Sequence, residues 1–136
     1  MSGIVLADEA AATYNEMRML HNASAIIFTL NDDQSKVIVE KVFPVDTELE
    51  EIVKALPEKD CRFLTYDMKM EEDGCKMAKL CFIQWSPVAA KTRPKMIYSA
   101  TKRACIDKMP AIQIEIAATN LAEVTKEVLL EKCHRK

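Results

Sequence analysis

Strand-like apolar runs and segments of helical period interleave along this chain, and that order restricts it to a sheet with helices packed against it. Residues 8–20 read as a helix, with Asp8 placed to cap it and Ala10, Tyr14 and Met17 on one face. Residues 25–30 and 36–42 read as a hairpin around the turn signal Asn31-Asp32-Asp33, and Pro44 is expected to break the second strand. Asp46 then opens a short helix bearing Leu49, Ile52, Val53 and Leu56, which Pro57 closes. Along 61–69, Cys61, Phe63 and Thr65 alternate with Arg62, Leu64 and Tyr66. A turn is expected at Glu71-Glu72-Asp73-Gly74, then a buried strand over 79–85 ended by Ser86-Pro87. Thr92 can cap a long helix over about 93–109, with Pro94 tolerated in its first turn and Ile97, Ala100, Ala104 and Met109 toward the core. Pro110 stops it, and Ile112–Ile116 alternates as a half-buried strand. Asn120 with Glu123 resembles a capping box for a last helix carrying Leu121, Val124, Val128 and Leu129. The expected fold is a single α/β domain over residues 1–136, a central mixed sheet flanked by helices on both faces.

What is scarce narrows the function. The chain holds two glycines, Gly3 and Gly74, so neither a Walker A loop nor a dinucleotide-binding loop can be written from it. Its five cysteines form no C-x-x-C pair, so neither a disulfide framework nor a zinc site is expected, and Cys61 and Cys81 read as reduced thiols packed in strands. The two histidines, His21 and His134, stand near opposite ends and read as surface residues. No spacing sets a base beside a serine or cysteine, and no enzyme, cofactor or metal is expected. No run nears the roughly 20 apolar residues of a membrane span. Met1-Ser2-Gly3-Ile4 lacks the pattern of a signal peptide, so the cytoplasm is the expected location.

The net charge of −2 conceals a segregation. Residues 46–60 hold Asp46, Glu48, Glu50, Glu51, Glu58 and Asp60 against Lys54 and Lys59. Residues 91–108 hold Lys91, Arg93, Lys95, Lys102, Arg103 and Lys108 against Asp107. The start of the long helix therefore adds three cations to the positive end of a helix dipole. Charge alone leaves two readings open, a solvated face and a docking face for an acidic partner. Nucleic acid is not expected, because aromatic residues for base stacking make up only 6% of the chain. Met96, one position before Ile97, is the favoured apolar anchor of a docking face.

Several motifs in order then resemble one family. Lys95-Met96-Ile97-Tyr98-Ser99-Ala100-Thr101-Lys102 is similar to the long-helix signature of ADF/cofilin proteins. Phe82-Ile83-Gln84-Trp85-Ser86-Pro87 resembles the strand and turn before that helix. Leu56-Pro57-Glu58-Lys59-Asp60-Cys61-Arg62-Phe63, followed by Tyr66-Asp67, resembles another family run, and Tyr14-Asn15-Glu16-Met17 resembles the end of its first helix.

The resemblance implies an ADF-homology domain with a short N-terminal arm over about residues 1–6. It implies a monomeric, cytoplasmic protein of the actin cytoskeleton that binds actin monomers and filament sides and promotes severing, depolymerisation and turnover. The alternative is a module that sequesters monomers or decorates filaments with little severing. By position, Ser2, Gly3, Arg93, Lys95 and Met96 match the monomer-binding site, and Ser2 matches the arm serine that is phosphorylated in many members. Lys79, Glu131, Lys132 and Arg135 match the filament-binding site. The basic long-helix region is also a candidate surface for phosphoinositides. Three departures stand out: Met77 and Ile106-Asp107 occupy positions that are usually basic, and Pro94 replaces a small polar residue.

Overall fold

Both sets of alternating side chains on the strand through residues 63–68 are buried, so this strand needs helices on each side. The computed structural model describes residues 3–134 and provides them. The elements are β1 (Val5–Leu6), α1 (Asp8–Leu20), β2 (Ala23–Leu30), β3 (Lys36–Pro44), α2 (Leu49–Val53), β4 (Arg62–Glu72), β5 (Cys75–Trp85), α3 (Thr92–Ile106), β6 (Ile112–Ala118), a 3₁₀ turn (Leu121–Glu123) and α4 (Lys126–His134). The sheet runs β1-β3-β2-β4-β5-β6, parallel at the outer pairs β1–β3 and β5–β6 and antiparallel between. Its mixed character and flanking helices agree with the expected α/β class.

Each face has its own core. On one, α1 and α3 bury Ala10, Tyr14, Met17, Tyr98 and Cys105 against Phe28, Phe63 and Phe82. Phe63 meets Phe82 at 5.2 Å and the Tyr98 ring edge-on at 5.0 Å between centroids. On the other, Leu49, Ile52, Leu129 and Cys133 of α2 and α4 cover Leu64, Ile83, Ile114 and Ile116. The Tyr14 hydroxyl donates to the Pro110 carbonyl at 2.5 Å, tying α1 to the segment after α3, and burial pushes that hydroxyl up to about 12. Trp85 Nε1 donates to the Pro57 carbonyl at 2.7 Å, which fixes the Leu56-Pro57 run against the end of β5.

Several local expectations are corrected. Asp8, Asp46 and Thr92 do not cap: the N-cap positions are Ala7, Glu48 and Lys91, none with a side-chain cap bond, and Asp46 sits in a turn at φ 69°. Pro44 is the last residue of β3, not a residue beyond it. Glu71 and Glu72 belong to β4, and the turn is only Asp73-Gly74. Both turn residues have positive φ, 53° and 81°, as a two-residue type I′ hairpin requires, so β5 starts at Cys75 rather than at 79. The bond expected between Glu123 and Asn120 is made one residue earlier, where Thr119 donates its N–H and hydroxyl to Glu123 at 2.7 and 2.8 Å. The final helix begins only at Lys126, with Thr125 Oγ accepting from the Val128 N–H. Leu121 is 53% exposed rather than buried.

The long helix is rotated from its expected face. Tyr98, Thr101, Cys105 and Ile106 point to the core, Ile97 is half-buried, Ala104 is intermediate and Ala100 is exposed. The Tyr98 hydroxyl accepts from the Leu30 N–H at 3.1 Å, and buried Gln84 donates to Ser99 at 2.9 Å. These polar pins, which an apolar count cannot see, set the rotation. Ile106 is buried at the end of the helix, and Asp107 is the exposed C-cap.

His21 is exposed, as expected, and also has a buried partner. It ends α1 in the left-handed region at φ 50°, and its Nδ1 lies 2.8 Å from Oδ2 of buried Asp67.

Candidate functional site

Lys91 is the last extended residue before α3, so the free N–H groups of the first turn open beside Thr92, Arg93 and Lys95. Pro94 stands within that turn, where its missing N–H costs no helical bond. No acidic side chain occupies the turn. The field there combines the helix dipole with Lys91, Arg93 and Lys95 and is positive.

The pinned rotation of α3 turns Arg93 and Met96 away from the core. Met96 is 66% exposed, and with Thr92, Arg93 and Ile97 it lines a shallow recess of about 450 Å³. Lys95 leans the other way and donates its Nζ to the Val88 carbonyl at 3.1 Å. That bond ties the helix start to the Ser86–Lys91 connection, where Val88 is 75% exposed. Beside it, Leu56, Trp85, Pro87, Val88 and Leu121 line a groove of about 450 Å³. The arm arrives alongside: Gly3 is exposed at φ 74°, Ile4 is buried, and β1 packs against α3. Arg93, Lys95 and Met96 are therefore brought together, and Gly3 precedes the strand β1 that packs on the same helix. Ser2 lies outside the described residues.

A second cationic group forms elsewhere. Lys79 on β5 and Lys132 on α4 line one recess of about 180 Å³, with Gln113, Ile114, Glu115 and Cys133. Glu131 is the exposed neighbour of Lys132, and Arg135 lies outside the described residues. Lys79 precedes Trp85 by six residues on one strand, so this recess is about 20 Å from the end of β5 that feeds α3. The two groups are thus separated along β5, one at its middle and the other past its C-terminal end.

The fold also assembles features that spacing does not reveal. Val88 and Leu121 present an apolar rim beside the α3 start, although Val88 belongs to no periodic run and Leu121 reads as part of the last helix. The thiols offer little nucleophile: burial holds Cys81 and Cys105 up at about 12 and raises Cys61, while Cys75 is exposed at the hairpin turn. Among the described residues no three His, Cys, Asp or Glu side chains converge as a metal site, and no helix is long and apolar enough to cross a membrane.

Comparison with known proteins gives a consistent result. The family model described as "Cofilin/tropomyosin-type actin-binding protein" matches residues 3–134. Cofilin-1A of Dictyostelium discoideum is 33% identical over 132 residues, covering 97% of this chain and 96% of its own. Actophorin of Acanthamoeba castellanii is 33% identical over 135 residues, covering 99% and 98%. The crystal structure of Streptomyces griseoflavus cofilin superposes with a TM-score of 0.90 at 32% identity, over 98% of both chains.

Proposed function

Because the chain belongs to the ADF/cofilin family of actin-binding proteins, we propose that it binds both actin monomers and filament sides and promotes filament severing, depolymerisation and turnover. The observation that carries this reading is the pair of separate cationic patches, one at the middle of β5 and one at the helix start that follows its C-terminal end. A protein on a filament side touches two neighbouring subunits, so it needs two contact surfaces. The start of α3 is the first. Arg93 and Lys95 supply cations, Met96 supplies the apolar anchor, and Gly3 leads into β1, which packs on the same helix; Ser2, outside the described residues, is assigned to the same contact. The second is Lys79 with Lys132, to which the reading adds Glu131 and, outside the described residues, Arg135.

The same reading makes the protein a cytoplasmic monomer that uses no cofactor and catalyses no reaction. Phosphate on Ser2 would add about −1.5 to −2 charge to a surface suited to an acidic partner, and so weaken binding. The cationic start of α3 is also the surface offered to phosphoinositide headgroups.

One observation favours the alternative, monomer sequestration or filament decoration with little severing: half-buried Met77 stands where the family often carries a cation. Sedimentation with filaments, paired with anisotropy on labelled monomers, tests the proposal. Saturable binding to both forms is expected. Binding to monomers alone would leave only sequestration, and binding to neither would overturn the assignment.

A further inference from the structure

The Cys133 thiol of α4 donates to the Met70 thioether of β4, with the sulfurs 3.7 Å apart. This contact lies among other sulfurs. Met70 pairs in register with Met77 of β5, so both side chains leave the same face of the hairpin, the face that α4 covers. Met68 and Cys81 are buried in the same core. Cys133 is 5% exposed and borders the recess of about 180 Å³ between β5 and α4. Met70 and Met77 are half-buried and border a neighbouring open groove of about 580 Å³. A small ion can therefore reach these three sulfurs from solvent.

The spacing suits a metal. With metal–sulfur bonds of about 2.3 Å, sulfurs 3.7 Å apart subtend about 107° at a shared ion, near the tetrahedral angle. Methionine has an unbranched, adaptable side chain, so Met77 can bring a third sulfur to the same point. One thiolate with two thioethers is a soft donor set, which selects copper(I). Charge selects in the same direction. The Cys133 thiolate cancels one positive charge, whereas a dication would leave a net charge in a site bordered by Lys79 and Lys132. Glu115 in the same recess is already paired with Arg103 at 3.3 Å. We propose that Cys133, Met70 and Met77 form a site for one copper(I) ion, which pins the last turn of α4 to the β4–β5 hairpin. The ion displaces the thiol proton, which leaves to solvent, and no electron is transferred. The proposal does not rest on the actin-binding reading.

The test titrates the full chain with copper(I) kept reduced by ascorbate and buffered by bicinchoninate. The chain carries Cys75→Ser, which removes the exposed thiol. One ion per chain should bind and show sulfur neighbours at about 2.3 Å by X-ray absorption. Free ion at about a hundred times its dissociation constant should raise the melting temperature by roughly 8–12 °C. Cys133→Ser should weaken binding at least about a hundredfold. Met70→Leu with Met77→Leu keeps the apolar volume, so it should weaken binding at least about tenfold and leave the metal-free melting temperature within a few degrees. Zinc(II) should bind at least about a hundredfold more weakly than copper(I). Copper(I) bound equally well by either variant would put the metal elsewhere and overturn the site. The absence of stoichiometric binding would make the sulfur contact a packing contact only, and equal zinc affinity would contradict the soft donor set. If Cys133→Ser does not fold, the methionine double variant decides.

Discussion

Replacing Arg93 and Lys95 together with alanine should abolish most actin binding while the fold survives. The structural cost is small because Arg93 is exposed and the Lys95 bond to the Val88 carbonyl lies at the surface. Alanine also suits a helix at least as well as either residue. The change in stability should therefore stay within about 1 kcal/mol. Binding is another matter, since a cation desolvated in an interface loses about 2–5 kcal/mol when it is truncated. Even one such contact corresponds to a roughly 30-fold to few-thousandfold loss of affinity. The measurement is anisotropy of labelled actin monomer titrated with wild type and double mutant, alongside thermal melts of both. A double mutant that melts like wild type and binds monomers within about threefold of it would refute the docking role of the α3 start.

Three further outcomes are expected. Ser2→Glu should weaken monomer binding and Ser2→Ala should not, measured in the same titration; equal affinities would argue against a phosphorylation switch at the arm. Cys75 should react with iodoacetamide at neutral pH. Cys81 and Cys105 should stay unmodified until the protein unfolds, since burial raises both thiols to about 12 and leaves almost no thiolate at pH 7; peptide mass spectrometry reads each site. Tyr14→Phe should destabilise the protein by about 1–2 kcal/mol in urea unfolding, because it leaves the Pro110 carbonyl without its donor, and an unchanged midpoint would show that the bond contributes nothing.

The fold was legible where one periodicity dominated. The alternation through Cys61–Tyr66 placed Phe63 and Leu64 in opposite cores, and Ala10, Tyr14 and Met17 marked the buried stripe of α1 correctly. It was illegible where charged residues masked the period. Residues 71–76 form the tip of the β4–β5 hairpin and are all exposed, so no apolar alternation announces it. Helix caps were misplaced by one or two residues because Ala7, Glu48 and Lys91 hold the cap positions by backbone conformation alone, although the bounds of α1 were read correctly. The rotation of α3 depends on the Tyr98 hydroxyl meeting β2, a contact 68 residues distant in sequence, and the His21–Asp67 pair spans 46. Of the candidate site, Arg93, Lys95 and Met96 could be found because they are consecutive or nearly so. That Lys79 and Lys132 share a recess became visible only once α4 was laid across β5.

Fluorescence imaging of single surface-tethered actin filaments tests turnover activity most directly. Added protein should bind along filament sides, raise the number of breaks per unit length and shorten the filaments, and the Arg93/Lys95 double mutant should leave them intact. Filaments that are decorated yet keep their wild-type length and break rate would contradict the severing account.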